Sequence, residues 1–259
     1  MRFLIQSDVC CEQEKSAIRL AHALRYGIEL KSLSLAQVPT SNYRDGMGGY
    51  APVGTVEFCR AVMARLCIEE PAMPSYPALL APFLGRKIQT GKVVDLWFMD
   101  CDANGEAGEL FVKPQKIKLF DGKLVSDVTD DDIKDLPGGT PVWFSELVNF
   151  VAEWRVYVAP EKIAVGQYGE GPDEALDMDL VMQAIHAIQR DKNCPCSFAL
   201  DFGLTDEGKL LLVEMSDAWA LGLYKTQHPH TLESYDYANM IYSRWLEISS
   251  RITAVPASI

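Results

Sequence analysis

Two apolar segments separated by a tight turn constrain the fold of this chain more than any other feature. Residues 198–204 and 209–215 are typical of strands, and the turn sequence between them predicts a β-hairpin. Each strand carries one acidic residue in apolar surroundings, Asp201 and Glu214. A buried carboxylate is costly unless a cation or hydrogen bonds compensate it. The pair is therefore a candidate Mg²⁺ site, with ion pairing or exposure at a strand end as the alternative.

The order of the other elements predicts an α+β fold in two parts. The first part opens as β-α-β, with a strand at 2–6, a helix at 12–26, a strand at 28–35 and a loop at 40–53. A helix at 56–66 and a proline-rich connector at 70–82 follow. We therefore expect a small N-terminal α/β domain at 1–75 and a larger domain at 76–259. In the larger domain we expect extended segments at 92–99, 109–113, 141–146, 150–158 and 162–168, a hairpin at 116–125, and helices at 177–190 and 234–251.

The composition excludes several classes of function. The formal net charge is −12, which argues against a broad nucleic-acid surface because such a surface needs excess Lys and Arg. No uncharged apolar run reaches the roughly 18 residues that a membrane span needs. The seven cysteines contain no CxxC pair, so we interpret them as reduced thiols rather than a zinc site. We expect a cytoplasmic protein that acts on neither nucleic acid nor membrane.

Basic residues in extended segments are the candidates for binding an anion. Lys113 ends an apolar strand, and Lys118 follows it closely in an otherwise acidic chain, which favours a polyphosphate site. Arg155 lies in the middle of a strand, where it needs a carboxylate or a phosphate as partner. Glu153 is two residues away and shares its face of the sheet. A surface lysine and a buried Arg–carboxylate bridge are the alternatives.

The order of these motifs resembles the ATP-grasp superfamily. It is most similar to the R2K branch, named for two arginines and a lysine, to which the cell-division-cycle protein 123 relatives are also similar. The resemblance spans about residues 53–224. It rests on the segments 53–58, 111–114, 120–122, 145–146, 153–155, 200–203, 213–217 and 219–224.

The resemblance implies an ATP-grasp fold, in which two α+β subdomains sandwich ATP, preceded by a small α/β pre-ATP-grasp domain. It further implies ATP-dependent ligation of a carboxylate to an amine through an acyl phosphate. Lys113 and Lys118 would contact phosphates, Arg155 would face the γ-phosphate or acyl phosphate, and Asp201 and Glu214 would hold Mg²⁺. The adenine hinge would comprise Trp143, Phe144, Ser145 and Glu146, with Glu153 nearby.

Three further positions complete the implied site. The family usually has Asn two residues after the metal-binding Glu, but this chain has Ser216, followed by Asp217, and we expect both near the metal. Arg86 begins the ATP-grasp region and is our candidate for the second arginine, in contact with phosphate. The substrates would be a carboxylate and an amine acceptor, a peptide or protein included. The alternative function is an ATP-binding assembly or regulatory factor that binds a protein partner without ligation.

Overall fold

The computed structural model describes residues 1–8, 11–24, 27–41, 49–72, 75–97, 110–116, 119–125, 131–168, 176–226 and 229–250. In this part of the chain, eleven strands form three separate sheets, and six α-helices pack against them or connect them. The mixture of parallel and antiparallel sheets with helices confirms the predicted α+β class.

The N-terminal sheet is parallel and has the order β2-β1-β3. Its strands are β1 (Arg2–Gln6), β2 (Glu29–Leu33) and β3 (Ala51–Val53). The strand β3 corrects the sequence analysis, which assigned 40–53 to a loop. Its three residues are buried and pair with β1, so neighbouring strands stabilise a segment too short to be recognised alone.

The second sheet is antiparallel and has the order β4-β7-β5-β6. Its strands are β4 (Ile88–Lys92), β5 (Leu110–Pro114), β6 (Lys123–Val125) and β7 (Pro141–Glu146). The prediction of a strand at 92–99 was wrong for 93–97, which form a 3₁₀ helix. Asp95 Oδ2 accepts a hydrogen bond from the Lys92 amide at 2.8 Å and closes this turn. The hairpin predicted within 116–125 also differs from the observed pairing, because the strand β6 pairs with β5.

The third sheet is antiparallel, has the order β11-β10-β8-β9, and lies within two residues of the predicted strands. It contains β8 (Phe150–Ala159), β9 (Lys162–Tyr168), β10 (Phe198–Thr205) and β11 (Leu210–Asp217). Alternation along β8 turns Val156 and Val158 to an apolar core on one face. The same alternation turns Glu153, Arg155 and Tyr157 to the opposite face, where a cavity lies.

The helices are α1 (Glu12–Leu24), α2 (Val56–Arg65), α3 (Ala81–Leu84), α4 (Asp131–Lys134), α5 (Met178–Ile188) and α6 (Ser234–Ser250). Thr55 caps α2 by accepting a hydrogen bond from the Phe58 amide, and Asp177 caps α5 in the same way. The last helix, α6, packs against α1 and contributes Tyr237, Ile241 and Trp245 to the N-terminal core. The division at residue 75 stays a prediction, and the N-terminal core includes this C-terminal helix.

Candidate functional site

A cavity of about 1090 Å³ is lined by residues of all three sheets. Its size is typical of sites for small molecules and cofactors. Ten of the predicted site residues line it: Arg86, Lys113, Ser145, Glu146, Glu153, Arg155, Asp201, Glu214, Ser216 and Asp217. The side chains of Trp143 and Phe144 lie outside this lining, and Lys118 lies outside the described residues.

Arg155 and Asp201 form a bidentate ion pair inside the cavity. The Nε–Oδ1 distance is 2.8 Å and the Nη2–Oδ2 distance is 2.6 Å. The two residues are direct neighbours on β8 and β10, so the strand register itself creates the pair. Burial opposes the positive charge of Arg155, but its hydrogen bonds with Asp201 outweigh burial and raise the pKa of the guanidinium. The guanidinium carbon also lies 4.6 Å from the centre of the Tyr224 ring.

Lys113 and Glu214 form a second ion pair, which joins the second sheet to the third. Glu214 is the partner of Asp201 in the β10–β11 register, so both carboxylates lie on one face of the hairpin. Both side chains of the second pair are about one quarter exposed. The cavity therefore contains two ion pairs, one between adjacent strands of the third sheet and one between the second and third sheets.

Asp201 and Glu214 fit a hard divalent cation that takes its other ligands from a bound molecule. Carboxylate oxygens are the ligands that Mg²⁺ prefers, and Mg²⁺ is usually held by one or two carboxylates together with phosphate and water. Within the described ranges, no group of three or more His, Cys, Asp or Glu residues forms a complete metal cage. A site with two carboxylate ligands, in which phosphate oxygens supply further ligands, agrees with the two carboxylates in the cavity and with the lack of a complete cage among the described residues.

Glu153 adds a third carboxyl group to the same wall of the cavity. Burial and the nearby charge of Asp201 raise the pKa of Glu153, and Arg155 opposes this shift only in part. A raised pKa in a cavity is typical of a functional site, although structural charge networks produce it too.

The adenine hinge at 143–146 stays a prediction, and these residues form most of the strand β7. The strand β7 is central in its sheet and pairs with β4 on one side and β5 on the other, so the backbone of Trp143, Phe144 and Ser145 is already hydrogen-bonded. Beyond Glu146 the chain leaves the sheet, and Leu147 and Val148 line the cavity. Their backbone groups have no hydrogen-bond partner in the described part of the chain. The free backbone at this edge therefore lies at 147–148.

Asp217 and Ser216 differ in their surroundings, although both were expected near a metal. Asp217 is 5% exposed, and both of its oxygens accept hydrogen bonds from Arg244, at 2.8 and 2.5 Å. A third bond from the Trp219 amide leaves Asp217 in a structural role. Alternation along β11 puts Ser216 on the same face as Glu214. Both Ser216 and Asp217 line the cavity, but the oxygens of Asp217 already accept hydrogen bonds from Arg244.

Arg86 was expected to contact phosphate, but its guanidinium is already occupied. It donates to the carbonyl oxygens of Leu84, Leu212 and Val213 and to the hydroxyl of Ser145, at 2.7–3.1 Å. Burial lowers the pKa of Arg86. The residue lies at the cavity edge as a link between the second and third sheets.

Several residues that organise the cavity were missed by the sequence analysis. The Tyr157 hydroxyl accepts a hydrogen bond from the Tyr224 amide at 2.7 Å and donates to Gly222 O at 3.2 Å. Glu14 Oε1 accepts a hydrogen bond from the Leu223 amide at 2.7 Å. These hydrogen bonds connect the segment after β11 to strand β8 of the third sheet and to α1. No local motif indicates them, because the partners are 65 to 209 residues apart in sequence.

The fold is similar to that of several solved ATP-grasp structures. D-alanyl-alanine synthetase A from Vibrio cholerae has a TM-score of 0.60 at 11% identity, covering 95% of this chain and 98% of the other. A RimK domain ATP-grasp protein from Sphaerobacter thermophilus has a TM-score of 0.54 at 17% identity, covering 95% and 100%. Macrocyclase MdnB from Microcystis aeruginosa has a TM-score of 0.53 at 11% identity, covering 93% and 98%. At such low identity the likeness concerns the fold, and it confirms the predicted ATP-grasp fold.

The sequence narrows this class to one family. The family described as "ATP-grasp domain, R2K clade family 2" matches residues 83–234, more than half of the chain. The chain therefore belongs to this family, which confirms the resemblance to the R2K branch. Family and fold also support the predicted enzyme class, an ATP-dependent ligase that forms a C–N bond. Comparison with curated proteins gives no match.

The structure also bears on the expected absence of a membrane span. Among the described residues, no helix combines the length and the apolar character that crossing a bilayer requires.

Proposed function

We propose that this protein joins a carboxylate to an amine at the expense of ATP, with Mg²⁺ as the metal. The observation that carries the proposal is the pairing of Arg155 with Asp201 and of Lys113 with Glu214 in one cavity. Each pair contains a cation suited to phosphate and a carboxylate suited to a metal. When ATP and Mg²⁺ bind, Arg155 and Lys113 exchange their carboxylate partners for phosphates. Asp201 and Glu214 exchange their basic partners for Mg²⁺.

Each of the four side chains has a role in this proposal. Lys113 binds the α- and β-phosphates, and Arg155 binds the γ-phosphate and then the acyl phosphate. Asp201 and Glu214 hold Mg²⁺, with Ser216 as a further oxygen ligand. When bound, Mg²⁺ neutralises phosphate charge and polarises the transferred phosphoryl group. The backbone at Leu147 and Val148, rather than at 143–145, then faces the adenine.

The proposed reaction has two steps. A carboxylate oxygen of the substrate attacks the γ-phosphorus of ATP, ADP leaves, and an acyl phosphate forms. An amine nitrogen then attacks the acyl carbon, the bond from that carbon to the phosphate oxygen breaks, and the nitrogen loses a proton. Positioning and fixed charge supply most of such catalysis, and Arg155 stabilises the negative charge that develops on the phosphoryl group.

Calorimetric titration of ATP with MgCl₂ into the intact protein tests the nucleotide site. We expect saturable binding to the wild type that weakens at least about tenfold in Lys113→Met and in Asp201→Asn, because each removes a charged partner of the ligand. Lys209→Met is the matched control, since Lys209 is exposed and pairs with Glu207 in a turn away from the cavity lining. Wild type that does not bind ATP, or variants that bind like the control, would refute the assignment.

A screen for ADP release in the presence of acids and amines then separates ligase from binding factor. Release that needs both an acid and an amine, together with a condensed product, supports the ligase. ATP binding without release across small molecules and peptides, together with a stable protein complex, supports an assembly or regulatory factor instead. The same screen distinguishes a small amine acceptor from a peptide.

A further inference from the structure

Arg86 joins the second and third sheets at the edge of the cavity. It lies between α3 and β4, and its side chain reaches β11 in the other sheet. Gly85 permits this approach, because its φ of 58° is left-handed and a Cβ there would meet Leu211 Cδ2 at 2.2 Å. The backbone before Arg86 thus packs directly on β11.

The strand β11 has a bulge at the point that Arg86 reaches. Glu214 pairs with Asp201, but the register shifts at the next position of β10, so Val213 is left without a partner there. Carbonyl groups released from a ladder need other donors. Arg86 supplies a donor to Val213 O through Nη2 at 2.8 Å, and its Nη1 donates to the neighbouring carbonyl oxygen of Leu212 at 2.7 Å.

The same guanidinium holds the second sheet. Arg86 Nε donates to Ser145 Oγ at 3.1 Å, and Nη1 also donates to Leu84 O at 3.1 Å. Ser145 in turn donates to the carbonyl of Glu146 at 2.8 Å, where the chain leaves β7 for the free backbone of the cavity edge. One side chain therefore contacts the residue before Glu214 and the residue before Glu146.

We infer that Arg86 is a positioning residue that fixes the metal-binding Glu214 relative to the nucleotide edge of the cavity. This inference rests on the proposed function. Arg86 acts through the bulge, because its two bonds to 212–213 define where the next side chain points. It does not act as a phosphate ligand, because four of its five N–H groups already donate to protein oxygens.

Lysine cannot replace this arginine as a positioning residue. A guanidinium offers a rigid planar fork of donors that reaches several acceptors at once, whereas an ammonium is a compact point charge on a flexible stem. A phosphate ligand, in contrast, tolerates lysine, which binds phosphate through its charge. Arg86→Lys therefore separates positioning from phosphate binding, and Arg86→Gln removes the charge but keeps one donor group.

The experiment measures ATP binding by calorimetry in EDTA and over a MgCl₂ series. In both variants we expect ATP affinity in EDTA within about threefold of the wild type, because no phosphate contact is lost. We expect the half-saturating MgCl₂ concentration to rise about 10- to 100-fold in both, as is usual when a group that orients a metal ligand is removed. A loss of ATP affinity in EDTA that lysine restores would overturn the inference in favour of a phosphate contact. An unchanged MgCl₂ requirement would overturn it too.

Hydrogen–deuterium exchange of the nucleotide-free proteins gives a second readout that needs no ligand. We expect faster exchange at 210–217 and 141–146 in Arg86→Gln, with the N-terminal sheet unchanged. If exchange at 210–217 and at 141–146 is the same in Arg86→Gln as in the wild type, Arg86 does not link the second and third sheets. If the wild-type protein does not bind ATP, the proposed function itself is wrong. If the wild-type protein binds ATP and the variants need the same MgCl₂ concentration, only the role of Arg86 is wrong.

Discussion

Two bidentate Arg–Asp pairs on the β10–β11 hairpin have nearly the same geometry but different surroundings. Arg155 and Asp201 are joined by bonds of 2.8 and 2.6 Å, and their side chains are 11% and 13% exposed. Arg244 and Asp217 are joined by bonds of 2.8 and 2.5 Å, and their side chains are 3% and 0% exposed. The first pair lines the cavity beside Glu214, whereas the second ties α6 to the end of β11.

Under the proposed function, pair geometry alone therefore does not distinguish a ligand-binding pair from a structural one. Charges at a cavity wall can exchange partners when a ligand enters, because the ligand supplies the compensating charge. Charges whose side chains are almost fully buried have no such replacement, so losing one partner leaves the other buried and uncompensated. Breaking the two pairs should therefore have separate effects on stability and on ligand binding.

Arg244→Met gives the largest expected effect, on stability. It leaves the carboxylate of Asp217 buried without its cation, and we expect the free energy of unfolding to fall by about 3–5 kcal/mol. Urea denaturation followed by circular dichroism measures the change. The double variant Arg244→Met/Asp217→Leu should recover most of the loss, because it removes both charges. A loss below about 1 kcal/mol, the range of exposed pairs, would contradict the sealed character of this pair.

Arg155→Met gives a smaller loss of stability but a specific loss of ligand response. We expect the free energy of unfolding to fall by only about 1–2 kcal/mol, since Asp201 can be hydrated from the cavity. ATP with Mg²⁺ at about 100 times its Kd should stabilise the wild type by about 2.7 kcal/mol. Most of this stabilisation should disappear in Arg155→Met. It should persist in Arg244→Met under conditions in which that variant is folded. Equal ligand responses of the two variants would remove the contrast between the pairs.

The sequence was sufficient to predict the third sheet almost residue by residue. The strands β8 to β11 are long, rich in β-branched and aromatic residues, and separated by recognisable turns, so local pattern determines them. The sequence was not sufficient to predict the strands β3 and β4. The strand β3 has three residues and follows a loop-like stretch, and β4 contains Thr90, Gly91 and Lys92 with little apolar character. Both form strands because a neighbouring strand supplies hydrogen-bond partners that no local window contains.

The candidate site shows the same division between local and distant information. Asp201, Glu214, Lys113 and Arg155 were recognised because a charged residue inside an apolar strand needs a partner. Asp217 was assigned to the metal because it follows Ser216 in the segment that resembles the family's metal motif, but its partner Arg244 lies 27 residues away on α6. Similarly, the occupied state of Arg86 depends on a bulge 126 residues further along the chain. Motif order thus indicated which residues carry charge, whereas long-range contacts determine which of them are already occupied by protein partners.

The smallest expected effect concerns Glu247, which extends the sealed pair towards solvent. Its Oε2 lies 2.8 Å from Arg244 Nη1 and accepts a hydrogen bond from the Cys196 amide at 2.9 Å. Burial alone raises the pKa of Glu247, but the Cys196 hydrogen bonds and Arg244 outweigh it and lower the pKa below its ordinary value of 4.5. A carboxyl whose pKa is lower in the folded state stabilises the fold above its unfolded pKa, and this stabilisation is lost as the pH falls through the folded value.

Glu247→Gln should therefore reduce stability at pH 7 and approach the wild type in stability as the pH falls below 4.5. Urea midpoints measured from pH 7 to about pH 3 for both proteins give the difference directly, within the range where a carboxyl of this kind titrates. Glu207→Gln is the control, because Glu207 forms an exposed pair with Lys209 and its removal should leave the pH dependence nearly unchanged. If the difference between wild type and Glu247→Gln stayed constant with pH, Glu247 would act through packing alone, and Asp217 would be the only carboxylate that Arg244 holds electrostatically.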